Sequence, residues 1–222
     1  MSASMSIQRA AKRVLDLLIA VPAMLLCSPV LAILAIAVRI NMGSPVLFRQ
    51  LRPGFKALPF TLMKLRTMRN ASGPDGKPLP DAARLTRLGS FLRSTSLDEL
   101  PQLINVVRGD ISIVGPRPLL MQYLDRYTPE QARRHDVIPG LTGWAQINGR
   151  NAISWEEKFS LDVWYVDHWS FWLDLKIVGL TFLRVLRRSG VASDGHVTMP
   201  EFMGSQSADT IARSAVPSAD SR

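Results

Sequence analysis

Two neighbouring acids, Asp98 and Glu99, stand at the centre of RSTSLDELPQLINVVRGDISIVG (residues 93–115). A carboxylate can attack phosphorus and form an acyl phosphate. A second carboxylate beside it can help to hold a divalent cation, which neutralises phosphoryl oxygens. Such chemistry also needs fixed positive charge, because phosphoryl transfer depends mostly on positioning and charge stabilisation. Lys64, Arg66, Arg93, Arg117 and Arg150 fall in turns or at the ends of elements and could draw in a diphosphate. Each has a plainer reading as a solvated surface charge. The acids have one too. Ser96-x-x-Glu99 matches a capping box, and acids suit a first helical turn. Pro101 conflicts with a cap at Ser96, since it would fall beyond the positions that tolerate proline. A helix starting nearer Asp98 removes the conflict and leaves an ionised carboxylate at its N-terminus.

The elements that must carry these residues begin with an uncharged, mostly apolar run from Leu17 to Val38, interrupted by Ser28-Pro29. Its length suits one membrane span, which needs roughly 20 apolar residues. Basic residues flank it on both sides, Arg9, Lys12 and Arg13 before it and Arg39, Arg49 and Arg52 after it. Positive charge favours the cytoplasmic side, so a simple span would put one basic flank on the wrong side. Pro29 removes a backbone donor, and the Ser28 hydroxyl can satisfy the carbonyl so freed. The favoured reading is a re-entrant hairpin that enters and leaves by one leaflet. A proline-kinked span and a cleaved signal peptide are the alternatives, and the second lacks a small-residue cleavage site.

Farther on, Val46–Gln50 and Leu58–Met68 read as two strands. In an extended KLRTM, Lys64 and Arg66 share one face. Residues 70–81 form a Pro/Gly/Asp-rich loop. Helical spacing resumes from Ala82 and again over Leu97–Val107, with Gly109 as a stop. Residues 111–118 (ISIVGPRP) read as a short strand running into a rigid loop. Thr128-Pro129 starts a helix, and residues 138–151 are Gly-punctuated and non-helical. Ser154 to Glu157 is a capping box opening a helix to about Asp167, and Ser170–Arg188 is a further helix. Trp155, Trp164, Trp169 and Trp172, four of the five tryptophans, fall in this last region. They suit a membrane interface, with a hydrophobic core as the plainer alternative. The tail after Gly204 is small and polar and is expected to be disordered.

The 222 residues carry a formal charge of +9, which points to anionic partners such as lipid headgroups, nucleotide phosphates or nucleic acid. Nucleic acid is disfavoured, because the aromatics are not interleaved with the basic residues as stacking platforms would be. Cys27 is the only cysteine, which excludes an intramolecular disulfide and a cysteine-based zinc site. His135, His168 and His196 have no metal-ligand spacing and read as structural. The residues taken alone reach a membrane-attached protein that binds phosphates.

The Ser28-Pro29 break, KLRTM, SLDELPQLINVVRGD, VGPRP, PGLTGWAQINGR and LDVWYV together resemble the small monotopic phosphoglycosyl transferases, a bacterial sugar transferase family. The resemblance runs from about Val14 to Gly204 without large insertions. RNAISWEEKFSLDVWYV and RSGVASDGHVTMPEF are most similar to members that initiate protein N-glycosylation with N,N'-diacetylbacillosamine phosphate. Pro101 need not occur in those members, and the tail runs past their usual end.

The resemblance implies transfer of a sugar 1-phosphate from a UDP-sugar to undecaprenyl phosphate, releasing UMP, at the cytosolic face of the bacterial inner membrane. Galactose, glucose or an N-acetylhexosamine are the alternative sugars, and a membrane-tethered basic binding module is the non-enzymatic alternative. It implies Asp98 as the nucleophile that carries a covalent phosphosugar, with Glu99 beside it and Mg²⁺ bound at the pair. Lys64, Arg93, Arg117 and Arg150 become phosphate or nucleotide contacts, and Asp162 a polar residue of the site. Ser28-Pro29 becomes the membrane bend, with membrane phospholipids around it. The expected fold is α+β: a re-entrant helix-break-helix over residues 1–40, a small mixed catalytic domain with interfacial amphipathic helices over 41–204, and a disordered tail over 205–222.

Overall fold

The computed structural model describes residues 3–149, 153–186 and 201–205. Helix α1 (Ala3–Met42) leads into the antiparallel hairpin β1 (Leu47–Pro53) and β2 (Pro59–Leu65). Two short helices follow, α2 (Asp81–Arg84) and α3 (Arg87–Ser94), then α4 (Gln102–Arg108) and β3 (Ser112–Val114). The rest comprises α5 (Pro129–Ala132), β4 (Gly140–Thr142), α6 (Trp144–Asn148), α7 (Trp155–Asp167) and α8 (Phe171–Leu186). The class is α+β as expected. The tail beyond Ser205, His196 and the pair Arg187-Arg188 lie outside the described residues.

Helix α1 is one element of 40 residues, where the sequence suggested helix, break and helix. Pro29 cannot donate to the Leu25 carbonyl, and the Ser28 hydroxyl does so instead at 2.8 Å. The missing bond is thereby replaced and the ladder survives. At 1.5 Å per residue such a helix would be about 60 Å long if straight, twice a hydrocarbon core. It is long and apolar enough to cross a membrane, and its most apolar stretch is almost wholly uncovered by the rest of the chain.

Both halves of α1 are nonetheless fastened to the globular part. Near the start, Arg13 donates to the Val106 and Val107 carbonyls (2.6 Å each), which caps the C-terminus of α4. Asp16 accepts from Ser112 Oγ (2.8 Å) and from the Ile113 backbone N–H (2.9 Å). Lys12 pairs at 2.6 Å with Asp174, which has no exposed surface and also accepts from Tyr165 and Trp169. Near the far end, Val38 packs with Leu65 and Leu92. Arg66 donates to the carbonyls of Met42, Gly43 and Ser44, so it caps the C-terminus of α1.

The central core joins Leu103 and Val106 of α4, Ile111, Ile113 and Val114 around β3, and Tyr165 and Ile177 from α7 and α8. Strands β3 and β4 pair in parallel, Ser112 with Gly140 and Val114 with Thr142. The 138–151 segment is thus partly regular, since it contains β4 and α6. A second cluster sets Phe202 between Tyr123 (5.6 Å) and Phe159 (4.9 Å), with Trp155 alongside. The aromatics therefore divide. Trp155 packs against this cluster, whereas Trp172 near the start of α8 is 76% exposed, and Phe182 and Leu183 nearer its end are exposed as well.

Candidate active site

Asp98 and Glu99 lie on a short 3₁₀ turn, Leu97–Glu99, wedged between α3 and α4. This corrects the single helix expected over Leu97–Val107. Ser96 is left-handed (φ 58°) and its side chain caps nothing, so the capping box suggested by spacing does not form. Pro101 takes the N-cap position of α4, where its missing donor costs no helical bond. Gly109, at φ 90°, ends the helix as its type predicts. Asn105 fixes α4 against the hairpin by donating to the Thr61 carbonyl (2.8 Å) and accepting from the Met63 N–H (3.2 Å). The acidic turn is thereby held over β2.

The two acids differ in surroundings. Glu99 accepts from Lys64 Nζ at 2.7 Å and from both terminal nitrogens of Arg117. Burial opposes its charge, but Arg117 and Lys64 outweigh it and hold the carboxyl down at about 2. Asp98 is 7% exposed and accepts no hydrogen bond from any described residue. Burial and the adjacent Glu99 raise its pKa, against the pull of Lys64, Arg93 and Arg117. Glu99 is thus a charge-fixing residue that orders two cations, while Asp98 keeps its lone pairs open.

Four remote segments deliver the remaining groups. Lys64 comes from the end of β2, and burial with the nearby Arg117 lowers its pKa despite the pairing with Glu99. Arg93, on α3, donates from Nε to Thr67 Oγ1 at 3.0 Å. That approach depends on Gly89, where a Cβ would sit 1.9 Å from the Thr67 carbonyl oxygen. Arg117 follows β3 in a loop braced by prolines. At its base a Cβ on Gly140 would lie 2.0 Å from the Gly115 nitrogen, so only glycine allows this crossing. Asp162, on α7, is 2% exposed and pairs with Arg134 Nη2 at 2.7 Å and Nε at 3.1 Å. The same Arg134 donates to the Arg117 carbonyl at 2.8 Å. Asp162 is thereby linked through Arg134 to the loop that carries Arg117. Arg150 lies outside the described residues.

Several cations escaped the sequence reading. Arg134 had no local pattern to mark it. Arg52 sits beside Arg117, and burial together with that like charge lowers it to about 10. Its Nε is buried without a hydrogen-bond partner among the described residues, an arrangement that a bound anion would relieve. Lys158, stacked 4.8 Å from the Trp155 ring, is brought down to about 8, chiefly by burial, with Arg117 and Arg134 acting in the same sense. Among the described residues, no cluster of three or more His, Cys, Asp or Glu side chains could hold a metal alone.

His135, packed beside Arg134, bears on stability and not on chemistry. Burial and Arg134 lower it to about 4. The unfolded chain takes up this proton below about pH 6.5, the folded chain only near its lowered value. The stability that neutral His135 contributes is complete above about pH 6.5 and is lost as pH falls toward 4. Denaturant midpoints should therefore drop over that window, and His135→Gln should flatten the slope.

A family model described as bacterial sugar transferase matches residues 7–188. The chain belongs to this family. It is 58% identical over 195 residues to an uncharacterized sugar transferase, EpsL, of Bacillus subtilis, covering 87% of this chain and 96% of that one. It is 43% identical to a UDP-glucose:undecaprenyl-phosphate glucose-1-phosphate transferase of Caulobacter vibrioides, covering 75% of this chain and 66% of the relative. A galactosyl transferase, CpsE, of Streptococcus agalactiae is 39% identical over 81% of this chain and 43% of its own length. The sugar transferase is thus nearly coextensive with EpsL and matches only part of the longer glucose and galactose enzymes.

Proposed function

We propose that this sugar transferase moves a hexose 1-phosphate from a UDP-sugar to undecaprenyl phosphate and releases UMP, with Asp98 as the nucleophile. The Asp98 carboxylate, unbonded among the described residues, beside the clamped Glu99 is the observation that carries this reading. In the first step an Asp98 oxygen bonds to the phosphorus next to the sugar, and the bond from that phosphorus to UMP breaks. In the second, a phosphate oxygen of the lipid attacks the same phosphorus and Asp98 leaves. Lys64, Arg93, Arg117 and Arg150 would spread the charge of the diphosphate, and Arg52 and Lys158 add to that positive field. Magnesium suits this donor set, since it is commonly held by one or two carboxylates together with substrate phosphates. Asp98 and Glu99 would hold it together with the diphosphate of the substrate. When bound, the ion would neutralise diphosphate charge.

The names of the relatives favour glucose or galactose over the bacillosamine sugar suggested by the sequence motifs. A panel of UDP-sugars with undecaprenyl phosphate in nanodiscs, with products weighed by mass spectrometry, tests both points. Product from UDP-glucose or UDP-galactose is expected. Turnover confined to the UDP-bacillosamine donor would reverse the choice of sugar, and no UMP from any donor would leave the binding-module reading.

For the membrane, the reading is monotopic attachment at the cytosolic face of the inner membrane, within the phospholipid. Attachment of both halves of α1 to one globular body, together with the basic flanks, supports it. Cysteines placed near Arg9 and near Arg49 should both resist an impermeant thiol reagent applied outside intact cells. Labelling of the N-terminal one would make α1 a span. Replacing Pro29 by alanine should supply the backbone donor that the Ser28 hydroxyl now stands in for and shift the protein toward spanning.

A further inference from the structure

A cavity of about 420 Å³ opens at the base of α1, and it belongs to neither acid of the active site. It touches Gly109, just past the C-terminus of α4, whereas Asp98 precedes the start of that helix. Lys64, Glu99 and Arg117 are absent from its lining. Phe55, Ile111, Val137, Ile138 and Trp169 make its walls mostly hydrocarbon. Its volume falls in the range of small-molecule sites, roughly 300–1,000 Å³.

The polar groups around it are almost all spoken for. Lys12 is bound to Asp174 and the Val114 carbonyl, and Arg13 to the last carbonyls of α4. Asp16 accepts two bonds from the β3 strand, and Asp136 pairs with Lys56 at 2.6 Å. Arg9 is different. It lines the cavity, is exposed, and has no hydrogen bond or ion pair among the described residues. An entering molecule therefore meets a hydrocarbon wall and one uncommitted guanidinium.

Location adds the final constraint. Arg9 lies eight residues before the apolar run that starts at Leu17, about 12 Å along the helix. With α1 attached as proposed above, the cavity sits at the depth where an anchored chain meets headgroups, with the exposed Phe55 of the hairpin tip in its wall. A molecule with one phosphate and a hydrocarbon chain fits all three features: volume, wall and charge.

We propose that this cavity is a second, non-catalytic lipid site that takes the hydrocarbon of a phosphate-bearing amphiphile and sets its phosphate on Arg9. The proposal rests on the membrane attachment of α1. Either a membrane phospholipid or the prenyl phosphate acceptor could supply this chemistry.

The full chain in nanodiscs of phosphatidylethanolamine containing phosphatidylglycerol, analysed by native mass spectrometry after transfer to detergent, tests it. Wild type should retain phosphatidylglycerol. Ile138→Trp, which narrows the cavity, should lose it, and so should Arg9→Gln at an exposed position with no partner to disrupt. UMP release from UDP-sugar without acceptor should stay at the wild-type rate in both variants, because neither residue lies at the Asp98 turn. Displacement of the bound lipid by farnesyl phosphate, with a raised acceptor KM in the variants, would assign the site to the acceptor. Resistance to displacement with unchanged KM would assign it to phospholipid. Equal lipid retention by wild type and both variants overturns the proposal. Absence of UMP release in wild type would count against the transferase reading alone.

Discussion

Asp98→Asn should fold, reach the membrane and release almost no UMP. The substitution breaks no hydrogen bond, since the carboxylate accepts none among the described residues. It also removes a charge that burial already disfavours. Loss of a nucleophile typically costs several orders of magnitude, so at least about a 10³-fold fall is expected. Incubated with a labelled UDP-sugar and no acceptor, wild type should gain a covalent phosphosugar on the Asp98 peptide and release one UMP per site. The variant should show neither. Retained lipid-linked product in Asp98→Asn would sink the nucleophile assignment.

Glu99→Gln should behave differently, because Glu99 is the counter-charge of Lys64 and Arg117. With a folded value near 2, its contribution to stability is present above the unfolded value of about 4.5 and is lost only as pH falls through 2. At neutral pH the amide should therefore lower both stability and turnover, while the adduct on Asp98 still forms slowly.

What the sequence disclosed followed the range of the interactions concerned. The apolar run, the Gly109 stop and the Thr128 cap depend on neighbours within one or two turns, and the structure has them where spacing puts them. The capping box at Ser96 was misleading for the same reason. Its two residues have the right spacing, but Glu99 finds Lys64 and Arg117, 35 and 18 positions away, and local pattern cannot register either. Arg66 projects like a ligand contact in an extended strand, yet three carbonyls at the end of α1 bind it first. Helix α1 runs on through Pro29 with the Ser28 hydroxyl on the Leu25 carbonyl, a detail that spacing does not reveal. Family resemblance suggested roles for the acids and cations, but not the pairing with Arg134 that links Asp162 to the loop carrying Arg117.

That indirect role sets the largest expected effect on stability. Asp162→Asn leaves the Arg134 guanidinium, with its side chain 2% exposed, without its counter-charge. Breaking a buried pair in this way costs about 3–5 kcal/mol, which in a chain of this size lowers Tm by roughly 6–20 °C. Replacing both partners, Arg134→Met with Asp162→Leu, removes the stranded charge and should recover most of the loss, since apolar pairs of similar volume often substitute well for buried ions. Turnover should not recover with it. The double variant has no donor for the Arg117 carbonyl, so the loop loosens and KM for the UDP-sugar rises, while the Asp98 adduct still forms at saturating donor. A residue that touched the substrate directly would give the opposite pattern: Asp162→Asn near wild-type Tm, with the adduct itself abolished.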